Sequence, residues 1–303
     1  MTEIILDSSQ ISTFLECPRL WYYKYKLNRR PSGSKLALNK GTLMHDLLEL
    51  YYMDPSPART GALLAALVKC LDEKTIQPFL DLGLPTTLTF QELAEDSDFL
   101  AVALRFTDYT VRYMSSDFKV AKSPSGATAT ELGFSKILHE SETDRFILEG
   151  RIDLLIDLGE SLKNQIAWVD HKTQKMAIDL YQHSPQFRTY DLVLNWNSPT
   201  IGYGMINYVG LQDKLNPRSF RRDLITFQPH QREEWRDYLV NVFRSVAETM
   251  AQLPPDPTPN FKSCAGPFGS NPCDFAPVCE APDSQKLMTL KSQFIEVEPW
   301  RPW

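Results

Sequence analysis

The chain has 303 residues, 43% hydrophobic and 23% charged, with 13 Gly and 21 Pro. That balance excludes a disordered, collagenous or mucin-like chain, and the length suits one large domain or two small ones. The formal charge of −6, from 32 basic and 38 acidic residues, argues against coating nucleic acid through global charge and leaves only local patches.

The opening MTEIILDSSQ has no basic n-region, apolar h-region or small-residue cleavage site. No run approaches the roughly 18 apolar residues of a membrane span. The expectation is a cytoplasmic protein with no membrane partner. Ser8 and Ser9 are N-cap candidates for a first helix carrying Ile11, Phe14, Leu15, Trp21 and Tyr25 on one face, which Pro18 kinks or ends. Seven basic residues and no acidic one lie between Arg19 and Lys40: Arg19, Lys24, Lys26, Arg29, Arg30, Lys35 and Lys40. Interleaved with Trp21, Tyr22, Tyr23 and Tyr25, this island is either a solvated face over core aromatics or a surface for phosphates and bases.

The stretch Gly41 to Tyr52 is helical in pattern, as are 58–75 and 90–114, so the first 120 residues read as mainly helical. From Ala127 the period drops to two, in ATATELGFSKIL, RFILEGRIDLLIDLG and NQIAWVDHKTQ, which predicts three consecutive antiparallel strands. A helix over 184–196, strands near 201–209 and 223–228, and a long amphipathic helix over 229–252 follow. The Pro- and Gly-rich stretch beyond is too irregular for regular structure, which signals a ligand or staple.

Asp153, in Gly-Arg-Ile-Asp, and Asp170, in Asp-His-Lys, fall in consecutive predicted strands. A hairpin turning between Ser161 and Leu162 sets the two carboxylates opposite each other, with Lys172 on the same face as Asp170. Opposed like charges need a neutralising partner, and hard oxygen ligands suit Mg²⁺ or Mn²⁺. Two carboxylates, a divalent ion and a lysine are an inventory for phosphodiester hydrolysis. The plainer alternative is a pair of exposed strand residues, one of them paired to Lys172. His45 in G-x-x-x-H, Glu131 on the first strand, and Gln186 and Tyr190 one helical turn apart are individually weak signals.

Cys17 near the start and Cys264, Cys273 and Cys279 near the end are better read as metal ligands or thiols than as disulfides. On ligand type alone, four thiolates suit a [4Fe–4S] cluster or a structural zinc equally. Cys70, on a helical apolar pattern, reads as a buried core thiol.

In their order along the chain, C-P-x-x-W, G-x-x-x-H, G-x-x-D, D-x-K-T, Q-x-x-x-Y and the terminal cysteines resemble the RecB-type branch of the PD-(D/E)XK nucleases. The likeness is greatest to members with an iron–sulfur staple, the AddB-type recombination nucleases and the CRISPR-associated single-strand exonucleases. It implies an α/β fold, a mixed central sheet flanked by helices in a restriction-endonuclease-like core. One integrated domain is then expected. A mainly helical part over 1–125 contributes Cys17 and His45, the nuclease core spans 126–253, and the stapled segment spans 254–303.

The resemblance implies His45, Asp153, Asp170 and the backbone carbonyl of His171 as ligands to Mg²⁺ or Mn²⁺, with Asp153, Asp170 and Lys172 catalytic. It implies Gln186 and Tyr190 in DNA binding and active-site support, Glu131 as further support, and Cys17, Cys264, Cys273 and Cys279 on a [4Fe–4S] cluster, with zinc as the alternative. Arg29 and Arg30 in the basic island are candidate nucleic-acid contacts. The expected partner is DNA, single-stranded or with free ends. No G-x-x-x-x-G-K-[ST] occurs, so any helicase motor would belong to a helicase or recombination partner. The competing reading is a non-catalytic iron–sulfur DNA-binding or scaffold subunit of a helicase–nuclease complex.

Overall fold

A computed structural model describes residues 2–32, 40–54, 56–73, 75, 77–82, 97–113, 118–122, 126–159, 165–174, 181–196, 201–211, 219–252, 257–264 and 273–299. The expected turn at Ser161 and Leu162, Lys35, and the first residues of the 90–114 helix lie outside these. In chain order the first elements are β1 (Thr2–Leu6), α1 (Ser8–Glu16), α2 (Pro18–Trp21), β2 (Arg29–Pro31), α3 (Lys40–Met53), α4 (Pro57–Glu73), α5 (Gln77–Leu80) and α6 (Ser97–Tyr113). The central elements are β3 (Thr130–Glu140), β4 (Asp144–Asp157), β5 (Ile166–Gln174), α7 (Pro185–Leu194), β6 (Ile201–Gly210) and β7 (Phe220–Ile225). The chain then forms α8 (Pro229–Ala251), α9 (Phe261–Cys264), α10 (Ala276–Glu280), α11 (Asp283–Gln293) and β8 (Phe294–Glu296). No described helix is long and apolar enough to cross a membrane.

Two compact units divide the chain, one built from 1–34, 133–150 and 228–303, the other from 35–132 and 151–227. In the first, β1 lies parallel to the front of β4, from Thr2↔Asp144 to Leu6↔Leu148, and α8 packs on it with Phe243 against Phe146 at 5.4 Å. Asp7, not Ser8 or Ser9, caps α1, its Oδ1 accepting the Gln10 N–H at 2.8 Å. Pro18 then forces Cys17 into extended backbone (φ −160°, ψ 110°), and a new helix starts at the proline. A second small core joins distant parts of this unit. Tyr23 stacks on Phe275 at 5.5 Å and Phe275 on Phe294 at 4.5 Å, beside the antiparallel β2–β8 ribbon. Trp21 and Tyr23, at 4% and 6% exposure, are core residues rather than a stacking surface for bases.

In the second unit the back of β4 pairs antiparallel with β5, β5 parallel with β6, and β6 antiparallel with β7, a mixed sheet flanked by helices. The observed pairs run from Asp157↔Ile166 to Leu154↔Val169, and one further step in this register sets Asp153 opposite Asp170. Leu154, Ile156, Ala167 and Val169 on one face meet Leu47, Leu63, Cys70 and Phe106 from α3, α4 and α6. Cys70 is fully buried, as its helical pattern predicts. On the other face α7 lays Phe187 on Trp168 at 5.4 Å. A Cβ on Gly204 would come within 1.9 Å of that indole, so only glycine fits there.

Candidate active site

Strand alternation alone places Asp170 and Lys172 on the α7 face of β5, and helical spacing places Gln186 and Tyr190 one turn apart on α7. The side chains meet. Lys172 Nζ lies 2.6 Å from Asp170 Oδ2 and donates to Gln186 Oε1 at 2.9 Å. Gln186 Nε2 donates to Asp170 Oδ1 at 3.0 Å and to the Tyr190 hydroxyl at 2.7 Å, and that hydroxyl donates to the Arg151 carbonyl at 2.7 Å. The amide therefore bridges lysine and carboxylate. Tyr190 is 3% exposed, so a nucleic-acid contact by its hydroxyl would have to displace these bonds.

Asp153 Oδ2 accepts the His171 backbone N–H at 2.8 Å and lies 3.6 Å from His45 Nδ1. Gly150, at the head of G-x-x-D, has a backbone reason: a Cβ there would fall 2.5 Å from the Phe134 ring. His45, Asp153, Asp170, Lys172, Gln186 and Tyr190 thus share one site in the second unit.

Burial sets the electrostatics. It pushes Asp170 up to about 6, against the pull of Lys172 and with the push of Asp153. It also raises Asp153, against the hydrogen bond from the His171 N–H and the charge of Lys172. Burial lowers His45 to about 4, leaving a neutral imidazole at physiological pH. Burial works against the Lys172 ammonium, but the charge and hydrogen bond of Asp170 outweigh it and hold the lysine above its ordinary value.

Two buried carboxylates held above their ordinary range, next to a neutral imidazole, are a donor set that a hard divalent cation would satisfy. Among the described residues no three His, Cys, Asp or Glu stand in metal-ligand spacing. Both Asp170 oxygens instead face Lys172 and Gln186.

A cavity of about 330 Å³ opens beside Asp153 and His45, and three charged residues of its lining, Asp46, Glu49 and Arg151, are not among the candidates named from the sequence. Their signal was position, since Asp46 and Glu49 follow His45 on α3 and Arg151 sits inside Gly-Arg-Ile-Asp. Glu131 also lines it. Its Oε2 lies 2.6 Å from Arg151 Nε, its backbone is left-handed (φ 47°), and burial followed by Asp153 raises it to about 8 against the opposing Arg151.

The remaining candidates lie in the first unit. Arg29 is paired to Glu296 at 2.9 Å on the β2–β8 ribbon, and Arg30 is exposed. Cys17, Cys264, Cys273 and Cys279 are free thiols. Cys17 Sγ accepts the Asn260 N–H at 3.3 Å, Cys264 Sγ reaches the Asn260 carbonyl at 3.7 Å, and Cys273 N–H donates to the Cys264 carbonyl at 2.9 Å. Burial raises Cys273, with Cys264 and Cys17 adding to the rise. Burial also raises Cys279, where Arg19 opposes and Cys273 and Cys264 add.

A mixed sheet carrying D-x-K on one strand and a facing aspartate on the next, with helices on both faces, defines the class of restriction-endonuclease-like folds. A family model described as the PD-(D/E)XK nuclease superfamily matches residues 8–280, and the chain belongs to that superfamily. A search of curated proteins returned no match. Among solved structures, one from Eubacterium rectale named "Putative exonuclease" is similar with a TM-score of 0.33 and 10% identity, over 87% of this chain and 99% of that one.

Proposed function

We propose that this chain is a metal-dependent deoxyribonuclease of the RecB-type branch, an exonuclease acting on single strands or free ends in recombination, repair or CRISPR and phage DNA processing. The observation that carries the reading is the Lys172–Asp170–Gln186 arrangement with Asp153 opposite Asp170, one register step beyond the Leu154↔Val169 pair. His45, Asp153, Asp170 and the His171 carbonyl would hold Mg²⁺ or Mn²⁺. When bound, such an ion supplies positive charge at the scissile phosphate and acidity to water.

The chain's own residues do the rest. Lys172 keeps its proton, and Gln186 fixes its Nζ at 2.9 Å, so the ammonium stands ready to orient the attacking water and offset charge developing on phosphoryl oxygens. Asp153, tied to the strand by the His171 N–H, cannot swing away from Asp170. In the same reading, Cys17, Cys264, Cys273 and Cys279 carry a [4Fe–4S] cluster that staples the first unit, and a helicase or recombination protein supplies any motor. The test is cleavage of 5′- and 3′-labelled single- and double-stranded DNA with Mg²⁺, Mn²⁺ or EDTA. Metal-dependent shortening from one end supports the reading, and no cleavage in either metal overturns it in favour of a non-catalytic DNA-binding subunit.

A further inference from the structure

His171 separates Asp170 from Lys172, and its ring points to the opposite face of β5, into the helical layer. In the sheet register His171 pairs with Asn207 on β6, and Asn207 pairs with Arg222 on β7, so the three form one row across three strands. Their side chains are bonded along that row. Arg222 Nε donates to Asn207 Oδ1 at 3.3 Å, and Asn207 Nδ2 lies 2.8 Å from His171 Nδ1. A guanidinium only donates, so the asparagine oxygen must face Arg222 and its NH₂ must face the histidine. His171 Nδ1 is then an acceptor, and the ring proton sits on Nε2.

Two helices close the row from above. Asn207 Nδ2 also donates to the Tyr109 hydroxyl of α6 at 2.9 Å, and Arg222 Nη2 donates to the same oxygen at 3.1 Å. With both lone pairs of that oxygen taken, the Tyr109 O–H donates to the Tyr52 hydroxyl of α3, 2.5 Å away. Tyr52 in turn stacks on the His171 ring at 5.5 Å and 10°. Arg222 is clamped between Tyr113 and Phe118, 3.6 and 3.7 Å from the ring centres. Asn207 is fully buried, and an apolar residue in this layer would carry no desolvation cost. A satisfied buried network does something an apolar core does not: it fixes one geometry.

We propose that Asn207, Arg222, Tyr109 and Tyr52 form a positioning array that holds His171 by ring edge, through Asn207, and by ring face, through Tyr52, and so fixes the backbone carrying Asp170 and Lys172. The His171 N–H that anchors Asp153 is fixed by the same array. These are positioning residues, acting from the side of β5 opposite Asp170 and Lys172, and their catalytic consequence rests on the nuclease reading above. A network serving stability alone would change unfolding but neither kcat nor the order of the His171 amide.

The test compares Asn207→Leu, Asn207→Asp and Tyr109→Phe in the full chain. Asn207→Leu should lower kcat roughly 10- to 100-fold with KM for DNA unchanged, the usual cost of losing an outer-shell partner. It should also speed hydrogen exchange at the His171 amide. Asn207→Asp should regain most of both, because its carboxylate accepts from Arg222 and from a His171 that moves its proton to Nδ1, a change visible in histidine ¹⁵N spectra. Wild-type kcat and amide exchange in folded Asn207→Leu overturns the proposal, as does an Asn207→Asp no better than leucine. If the leucine variant fails to fold, Tyr109→Phe decides, since it removes one oxygen and keeps the ring. A smaller kcat loss at unchanged KM supports the array, and no change in kcat or exchange overturns it. Should the wild type not cut DNA, the nuclease reading falls, and the amide exchange still decides whether the array orders His171.

Discussion

Lys172 Nζ donates to Gln186 Oε1 at 2.9 Å, so the orientation of the lysine depends on an amide that α7 supplies. Lys172→Ala or Asp153→Ala should lower DNA cleavage by roughly 10²–10³-fold or more, the range for removing one group that stabilises developing charge. Gln186→Ala should lower kcat less, because Asp170 still holds the ammonium at 2.6 Å. The check is steady-state cleavage with circular dichroism to confirm folding. A Lys172→Ala protein cutting at the wild-type rate would show that the lysine has no catalytic role.

The pH dependence of stability should carry the signature of Glu131. Its carboxyl is raised from 4.5 to about 8, by burial first and then by Asp153, with Arg151 opposing. Folding therefore favours the protonated form. The stability it contributes is complete below pH 4.5 and is lost progressively as pH rises through about 8. In chelator, Glu131→Gln should flatten the fall of the urea midpoint across that window. An unchanged profile would mean that Arg151 keeps the carboxylate ionised throughout.

Much of this site can be read from the chain. The length of the loop between two alternating segments places Asp153 and Asp170 opposite each other, and the ladder from Leu154↔Val169 onward has that register. What escapes has physical reasons. β1 is five residues long and finds its partner at Asp144, a pairing that no local pattern encodes. β7 runs over Phe220–Ile225 rather than 223–228, because Phe220 pairs with Val209 and the chain leaves the sheet before Pro229 opens α8. Within the Pro- and Gly-rich stretch over 253–282, expected to be irregular, the described residues form the short helices α9 and α10, and Val278 of α10 is buried in a core completed by Tyr23. Glu49 and Arg151 stay hidden because a charge on a helix or strand looks the same whether it faces solvent or a cavity.

Packing beneath the site gives a stability prediction. Gly204→Ala would drive a methyl into Trp168, at 1.9 Å from the ring, with β6 unable to shift without disturbing its pairing to β5. Overpacking of this kind costs about 1–3 kcal/mol, measurable by urea denaturation. A neutral result would mean that the indole moves freely.

The basic island should show itself in salt dependence. Removing a side chain that neutralises one phosphate lowers the log–log slope of DNA affinity by about 0.7–0.9. Replacing Arg29 and Arg30 together by Ala should flatten it, with Arg30 contributing more because Arg29 is paired to Glu296. An identical slope in the double variant returns both residues to an ordinary solvated surface.

For the cysteines, anaerobically purified protein should contain iron and acid-labile sulfide. Cys17→Ser should lose both and become open to proteolysis near Asn260, whose N–H lies 3.3 Å from Cys17 Sγ. Cys70→Ser, in the helical core of the other unit, should leave the iron content unchanged. Zinc without sulfide would replace the cluster with a structural zinc.

The two units differ in how they can be synthesised. Every segment of the second has been translated once Phe227 is made, so its sheet can close while the rest of the chain is still emerging. The first unit needs Arg29 to meet Glu296 and Tyr23 to meet Phe275, pairings that span most of the chain. Until those late residues arrive, the stacking of Tyr23 on Phe275 and the pairing of β2 with β8 cannot form. Vectorial synthesis thus completes the unit holding Asp153, Asp170 and Lys172 before the unit holding Cys17, Cys264, Cys273 and Cys279.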